Sequence, residues 1–217
     1  MLSILVALSF LATDALADTT LSLLTTETLL VQNKSLGTFT IPAEYSLIFD
    51  IKPTAIVSTW SSIFHATSTG TDCCALGSRM PAIYLNPGTT SPHIRLSCET
   101  NGNWGFASTG ALPLNAWTTI EIRTVGQLVK IFYNSTLQTS ATAPSDRISG
   151  SAKIYVSDPW SSASKASIRN VKLVKQDDCT IVKYAWAAMG KPDVAATTDC
   201  CTMDGIICGG PSSVYQM

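Results

Sequence analysis

The regular alternation of apolar and polar residues in Trp117–Thr136 constrains the fold of this chain more than any other feature. Ile120 and Ile122 project to one side, and the charged residue that follows each of them projects to the other. A break at Val125-Gly126-Gln127 separates this run from a second apolar run. Period-two alternation around a glycine is typical of a β-hairpin. We therefore predict that this stretch is the central hairpin of an antiparallel sandwich.

Similar short segments precede and follow the hairpin, separated by turn-forming residues such as Asn86-Pro87-Gly88 and Asn101-Gly102. The predicted strands are Leu21–Gln32, Gly37–Ile41, Tyr45–Ile51, Ser61–Thr67, Ala82–Leu85, His93–Cys98, Trp104–Ser108, Lys153–Ser157 and Ser167–Val174. The sequence between them contains no amphipathic helix, which excludes a parallel βαβ architecture. The pattern therefore predicts an all-β sandwich or barrel.

The N-terminus has the pattern of a secretory signal peptide. Leu2–Leu11 is apolar and Ala15-Leu16-Ala17 places small residues before a cleavage point, so we predict a signal peptide over residues 1–17. The apolar run is too short to span a bilayer, which takes about 20 residues, and no later stretch is long enough. We expect a secreted protein, located outside the cell or at its surface, with no membrane span.

The charge balance narrows the classes of partner. The chain has 14 Lys and Arg and 15 Asp and Glu, and loss of Asp14 with the signal peptide leaves the two signs equal. A formal charge of zero argues against nucleic acid or anionic lipid as a partner. Because charged residues make up only 13% of the chain, little repulsion opposes self-association.

Cysteines are numerous enough to predict disulfide bonds in a secreted chain. The seven cysteines form an early and a late group: Cys73, Cys74 and Cys98, then Cys179, Cys200, Cys201 and Cys208. In the early group, either of the adjacent cysteines could pair with Cys98 and pin a loop onto a strand, and the sequence does not decide which. The odd total leaves one thiol unpaired or bonded to another chain.

The character of the chain changes after Val174. Asp177-Asp178-Cys179 favours a helix start, Ile181–Met189 has apolar residues at helical spacing, and Gly190 ends the pattern. The remaining residues are short and rich in cysteine. We predict a β-sandwich domain over residues 18–176 and a small, disulfide-stapled helical module over residues 177–217.

Three segments, Ala43–Lys52, Trp117–Thr136 and Ser167–Val174, resemble in order and pattern the laminin-G-like, concanavalin A-like family of jelly rolls, which includes lectins and glucanases. The resemblance covers about Leu23–Val174. It implies a jelly-roll fold whose last strand packs beside the first ones. It also implies that the partner is a carbohydrate or a glycoprotein.

The C-terminal residues resemble the N-terminal cap of leucine-rich-repeat proteins. The matching residues are Cys179, Trp186, Asp199-Cys200-Cys201, Gly205-Ile206-Ile207-Cys208 and Val214. The resemblance implies the disulfides Cys179–Cys200 and Cys201–Cys208. No repeats follow in this sequence, so Val214–Met217 would be a cap strand with an uncovered edge. Either the chain is a truncated or alternatively ended product of a leucine-rich-repeat protein, or this edge meets another molecule by strand addition.

The predicted hairpin around Asn101-Gly102 contains the first candidate ligand site. His93 and Arg95 share the polar face of their strand, and Trp104 is predicted to lie beside them across the turn. An aromatic ring and planar hydrogen-bond donors are the groups that sugar recognition uses. Burial of Trp104 in the core is the alternative.

A second candidate ligand site is the loop that contains Asp158 and Trp160, which would offer a carboxylate and an aromatic ring at the rim of the sandwich. A tryptophan that closes the end of the sandwich is the alternative for this loop.

The sequence contains no evident catalytic or metal-binding constellation. Glycosidases use paired carboxylates, but Arg123 stands two residues after Glu121, where a second carboxylate would be needed. His65 and His93 lack the spacing of a zinc site, and His65 is predicted to pack on the side of Ile63. Asp and Asn residues do not cluster as a calcium site requires. We expect no cofactor and no metal.

Three functions follow in order of support. The first is a secreted, non-catalytic binding or adhesion module for glycan or glycoprotein. The second is a structural subunit of an extracellular assembly, which would self-associate through the C-terminal module or an unpaired cysteine. The third and weakest is a glycoside hydrolase. The sequons at Asn33 and Asn134 predict two N-glycosylation sites.

Overall fold

The structure is a computed structural model that describes residues 20–176 in full and the backbone of residues 207–208 and 214–216. The chain divides into two compact units, of which one comprises Thr19–Gln176 and the other the remaining residues. No helix in the described part of the chain is long and apolar enough to cross a membrane. The predicted signal peptide lies outside the described residues.

The larger unit consists of short strands. They are β1 Thr20–Leu24, β2 Thr28–Leu29, β3 Ser35–Ile41, β4 Tyr45–Pro53, β5 Ser61–Thr67, β6 Ala82–Leu85, β7 Pro92–Cys98, β8 Asn101–Ala107, β9 Thr118–Val125, β10 Leu128–Tyr133, β11 Thr136–Thr142, β12 Gly150–Tyr155, β13 Ser162–Ala163 and β14 Ala166–Lys175. Two further strands, β15 Ile207–Cys208 and β16 Val214–Gln216, belong to the second unit.

Two sheets form the sandwich. Sheet A has the order β1-β14-β4-β9-β10-β11, with β2 also paired to β14. Sheet B has the order β3-β12-β5-β6-β7-β8, with β13 paired to β5. Among the described strands, all pairs are antiparallel except that of β13 with β5. The predicted all-β antiparallel sandwich is therefore confirmed, as is the position of the last long strand beside the first ones.

The core lies between the two sheets and follows the alternation of the sequence. Leu47, Phe49 and Ile51 of β4 are fully buried against their neighbours in β9, Ile120 and Ile122. Sheet B contributes its own buried row from β5, β6 and β7. Each large side chain removed from water stabilises the fold by about 1.5–3 kcal/mol. Because the alternation puts these side chains on one face, the opposite face of each sheet is left for other roles.

The predicted central hairpin is observed. β9 and β10 pair in register from Val125 and Leu128 to Ile120 and Tyr133, and they lie inside sheet A. The turn passes through Gly126, whose φ of 51° favours glycine. At the other end of β10, Asn134 lies exposed in a tight turn with φ 46°, as the predicted sequon requires. Its glycosylation, like that of the exposed Asn33, stays a prediction.

Three details of the strand prediction are wrong. The turn before β8 lies at residues 99–100, because Asn101 already pairs with Cys98. The first predicted strand is divided into β1 and β2. The edge strand β11, Thr136–Thr142, was not predicted, because its side chains are mostly polar and exposed and lack an apolar alternation.

The predicted pairing of Cys98 with an adjacent cysteine is also not observed. Cys73 and Cys74 are bonded to each other, across a cis peptide bond, and Cys98 is a free, buried thiol. Cys98 belongs to the hydrophobic core between the sheets. The loop of the two other cysteines packs on the opposite side of sheet B, where the carbonyl of Cys74 contacts the backbone at Gly102. A side chain on the core side cannot reach that loop.

The predicted C-terminal helix Ile181–Met189 and the cysteine at position 200 lie outside the described residues. The disulfides Cys179–Cys200 and Cys201–Cys208 therefore stay predictions. In the described backbone of this unit, β16 pairs antiparallel with β15.

Candidate functional site

The outer face of sheet B, which points away from the core, gathers the chemically useful side chains of the sandwich. Cross-strand partners share a face of a sheet. Tyr155 of β12 lies opposite His65 of β5, and Tyr84 of β6 lies opposite His93 of β7. Arg95 follows two residues further along β7 and therefore lies on the same face. We call this surface the outer B face.

A continuous series of aromatic contacts runs across the outer B face. Trp60 contacts the ring of His93 at 4.9 Å and that of Tyr84 at 6.3 Å between centroids. Tyr84 contacts His65 at 6.4 Å, and His65 contacts Trp160 at 5.2 Å. The two tryptophans at the ends are 43% and 39% exposed, whereas the histidine and tyrosine between Trp60 and Trp160 are buried. Two solvent-accessible indoles thus flank a buried polar centre, which Tyr84 and His65 form.

The loop of residues 68–80 covers this centre. Arg79 places its guanidinium over the ring of Tyr84, 5.5 Å from the centroid, and forms an ion pair of 3.1 Å with Asp72. Arg79 also donates to the side-chain oxygen of Asn103 on β8. Gly102 allows the loop to approach, because a Cβ there would lie 1.9 Å from the carbonyl oxygen of Cys74. The loop is therefore packed onto β8 as well as onto the aromatic series.

His93 is held as a neutral ring. Its Nδ1 lies 3.1 Å from Oδ1 of Asn86, and the amide nitrogen of Asn86 donates to the carbonyl of Ser91, so Oδ1 accepts and Nδ1 donates. Burial, with help from the charges of Arg95 and Arg79, lowers the pKa of His93 to about 4. Its Nε2 has no hydrogen-bond partner in the part of the chain that the structure describes. That nitrogen lies beside Trp60 and is itself shielded from solvent.

His65 and Asp158 form a fully buried pair. Nε2 of His65 lies 2.7 Å from the carbonyl oxygen of Ser78, which can only accept, so Nε2 carries a proton. Nδ1 lies 3.0 Å from Oδ2 of Asp158. The other carboxylate oxygen accepts the backbone N–H groups of Trp160 and Ser161 at 3.0 and 2.6 Å.

The ionised form of Asp158 is favoured despite its burial. Burial raises the pKa of Asp158 most strongly, but the hydrogen bonds from His65 and from the Ser161 backbone outweigh it and lower the pKa below its usual range. A buried carboxylate therefore carries a charge at neutral pH.

The structure brings together four of the five predicted ligand residues and separates one. His93 and Arg95 lie on the outer B face, and Trp160 is exposed on the same face above the buried Asp158. Trp104 does not join them. It lies opposite Leu96, a core residue, and packs against the core and Phe106, so it points to the other side of the sheet. The error has the same cause as the misplaced turn, since the true register puts Trp104 on the core side.

His65 also lies on the face opposite to the one predicted. A β-bulge between Ser62 and Phe64 adds a residue to β5, so that Ile63 and Phe64 both join the core and His65 points outward. Its predicted burial is nevertheless observed, since the side chain is inaccessible to solvent. Burial comes from the covering loop rather than from the core.

Sequence reasoning missed Trp60, Tyr84, Asp72 and Arg79 as members of this surface. A signal existed for Trp60, which stands among Ser and Thr residues immediately before a strand, where an indole has little reason to be buried. The carboxylate of Asp72 and the guanidinium of Arg79 carried no such signal, because only the folding of their loop brings them to the sheet.

No protein-family model matches the chain, and no curated protein is similar to it. Among solved structures, domain 4 of AbnA, an extracellular GH43 arabinanase from Geobacillus stearothermophilus in complex with arabinotriose, is 15% identical over 65% of this chain and 62% of its own, with a TM-score of 0.43. The native heptameric SAP-like pentraxin from Limulus polyphemus is 11% identical over 92% of both chains (TM-score 0.45). Mouse laminin alpha1 domains LG4-5 are 13% identical over 68% of this chain and 40% of theirs (TM-score 0.49).

Proposed function

We propose that this protein is a secreted, non-catalytic glycan-binding module of the concanavalin A-like, laminin-G-like class, and that it binds glycan on the outer B face. The observation that carries the proposal is the placement of two exposed indoles, Trp60 and Trp160, at the ends of one series of ring contacts. Aromatic rings of this kind are energetically useful only when something apolar covers them. The C–H faces of sugar rings are apolar groups that can pack on exposed indoles.

Polar groups of the outer B face supply the hydrogen bonds that hydroxyl groups require. Arg95, half-buried on the strand of His93, forms no ion pair within residues 20–176 and donates only a long hydrogen bond of 3.4 Å to the carbonyl of Asn103. The partly exposed carboxylate of Asp72 is an acceptor near the centre. A donor and an acceptor on one face match the hydroxyls of a saccharide.

The carboxylates of the other sheet support a non-catalytic role. Glu121 accepts hydrogen bonds from Ser46 and Arg123 at 2.8 and 2.7 Å. Asp50 is held by Thr119, Arg169 and a neighbouring asparagine. A general acid and its partner must be free to exchange a proton with substrate, whereas these groups serve as acceptors within the sheet. We therefore infer that neither Glu121 nor Asp50 is the catalytic carboxylate of a glycoside hydrolase.

Binding to a panel of immobilised oligosaccharides tests the proposal. We expect the wild-type chain to bind at least one glycan and Trp60→Ala and Trp160→Ala each to weaken that binding by about tenfold or more. Trp117→Ala is the matched control, because it makes the same change on the other sheet and should leave affinity within about twofold. Absence of any glycan binding, or equal losses for all three variants, would refute the proposal.

A location outside the cell is part of this proposal. Expression of the full precursor tests it, by measuring whether residues 1–17 are cleaved and whether the remaining chain is exported. Self-association through the C-terminal module or a free cysteine stays a prediction. The buried position of Cys98 removes that thiol as the bridging group.

A further inference from the structure

We propose that His65, Asp72 and Asp158 form a binding site for a divalent transition-metal ion, for which Zn²⁺ is the natural probe. The three residues come from β5, from the loop of residues 68–80 and from the segment after β12. The sequence therefore contains no ligand spacing from which this site could be predicted. This inference does not depend on glycan binding. It departs from the sequence expectation that the chain has no metal site.

The ligand atoms lie close enough together to converge on one small ion after small side-chain adjustments. One atom from each of the three residues lies within 4.8 Å of the others, and Nδ1 of His65 lies 3.0 Å from Oδ2 of Asp158. The hydroxyl of Tyr84 lies 3.3 Å from that Nδ1 and 3.4 Å from Oδ1 of Asp72. A tetrahedral ion with bonds of about 2.0–2.2 Å needs ligand atoms about 3.3–3.6 Å apart. The tyrosine is therefore a neighbour at the distance of a fourth ligand.

The orientation of His65 points the same way. Nε2 donates to the Ser78 carbonyl, so Nδ1 is the ring nitrogen that faces Oδ2 of Asp158. A metal ion bound at Nδ1 would replace the proton that joins these two atoms. A histidine whose other N–H is fixed by a backbone carbonyl is the arrangement that orients metal-binding imidazoles.

The carboxylates of Asp158 and Asp72 differ in their hydrogen bonds and in their exposure to solvent. Asp158 is held by two backbone N–H groups on Oδ1, which leaves Oδ2 directed at the imidazole. Asp72 is 39% exposed, so the cluster reaches solvent at this residue. Asp72 and Asp158 bring two carboxylates to one imidazole, and Arg79 forms an ion pair with only Asp72. A divalent ion would interact favourably with both carboxylates.

The donor set selects the class of ion. Calcium takes six to eight oxygen ligands at 2.3–2.6 Å, and the described cluster offers too few oxygens and includes an imidazole. One imidazole nitrogen with carboxylate and phenol oxygens suits Zn²⁺ and its neighbours in the first transition row. An ion held this way would tie the covering loop to β5 and to the segment that bears Trp160.

Metal-free full-length protein, prepared by chelation and titrated with Zn²⁺ in a calorimeter, gives the first test, and the absorption spectrum of the Co²⁺ form gives the second. We expect a single equivalent to bind and the Co²⁺ spectrum to show the intense visible bands of low-coordinate geometry. Asp72→Asn should weaken binding by at least about tenfold while the fold persists, because this residue lies in a partly exposed loop. His65→Gln should abolish the Co²⁺ bands.

Two control variants separate metal binding from a structural effect. Arg79→Gln breaks the same ion pair as Asp72→Asn but removes no ligand, so it should retain or increase Zn²⁺ affinity. Asp146→Asn removes a carboxylate elsewhere and should have no effect. The proposal is overturned if the wild-type chain binds no Zn²⁺, if Asp72→Asn binds as tightly as wild type (as it would if cysteines were the ligands), or if Arg79→Gln loses as much affinity as Asp72→Asn.

Discussion

The outer faces of the two sheets use similar residues in opposite ways. On sheet A, Trp117 is covered by two cations, with Lys52 at 4.7 Å and Arg169 at 4.1 Å from the ring. On sheet B, Trp60 and Trp160 contact other rings edge-on or tilted and remain open to solvent. A cation over an indole satisfies the π face, whereas an uncovered indole is available to a ligand. Exposure of the ring, and not its presence alone, therefore marks the candidate site.

The carboxylates of the two faces differ in the same sense. Glu121 and Asp50 on sheet A lie near the surface within ion pairs that solvent screens. Asp158 on sheet B is fully buried with His65. The charged groups of sheet A therefore lie near the solvent-exposed surface, whereas this pair on sheet B is buried beneath the loop of residues 68–80.

The largest effect that distinguishes the faces should come from these carboxylates. Asp158→Ala removes the partner of a buried imidazole and two backbone hydrogen bonds, so we expect a loss of about 3–5 kcal/mol in the free energy of unfolding. Glu121→Ala should cost about 1 kcal/mol or less. Urea denaturation of both variants measures the difference. Equal losses would show that the two faces are not distinct in the way described.

A glycine beneath the covering loop should give the next largest effect. Gly102→Ala forces a methyl group against the backbone of Cys74, and we expect a loss of about 1–3 kcal/mol. Gly110→Ala is the matched control, because its new methyl group would meet side chains and no backbone: the flexible end of Gln138 at 2.8 Å and the ring edge of Tyr133 at 3.3 Å. If both variants unfold at the same urea concentration, the loop does not press on β8 as the structure indicates.

Removal of single indoles should have a smaller free-energy effect, seen in binding rather than folding. A tenfold loss of glycan affinity, expected for Trp60→Ala or Trp160→Ala, corresponds to about 1.4 kcal/mol. We expect these two variants to unfold within about 1 kcal/mol of wild type, because both side chains are substantially exposed. Trp117→Ala should behave in the reverse manner, with unchanged binding and the loss of two cation contacts.

A pH dependence of stability should arise from His93 on sheet B. The folded state lowers the pKa of His93 to about 4, whereas the unfolded imidazole has a pKa near about 6.5. The unfolded chain therefore binds more protons between these values, and stability is complete above about pH 6.5 and falls as the pH drops towards 4. His93→Gln should flatten this decline. A decline of the same size in the variant would exclude His93 as its source.

Asp50 on sheet A should act in a lower pH range. Its pKa is lowered, since hydrogen bonds from Thr119, the asparagine at position 170 and Arg169 outweigh the opposing effect of burial. Its contribution is therefore present above its unfolded pKa of about 3.8 and is lost as the pH falls through the lower folded value. Comparison of Asp50→Asn with wild type below pH 4 separates this loss from that of His93.

The sequence anticipated the sandwich better than the site. Strands β5 and β6 were predicted with their observed ends, and the hairpin Trp117–Thr136 lies where the alternation placed it. Strand β11 was not predicted, because a polar edge strand has no apolar alternation that the sequence could show. In the site, His93 and Arg95 were placed correctly because β7 alternates without interruption up to Leu96. Trp104 was misplaced by the wrong register across one turn.

By itself, therefore, the sequence determined the class of fold, the central hairpin and the split between inward and outward residues in the regular strands. Period-two alternation is a local property, and burial of one face is enough to enforce it. The tertiary structure alone decided that a bulge turns His65 outward, that Trp104 faces the core and that Asp72 and Asp158 meet over one imidazole. These outcomes depend on register and on loops that return from distant parts of the chain, and a shift of one residue exchanges the two faces of a strand.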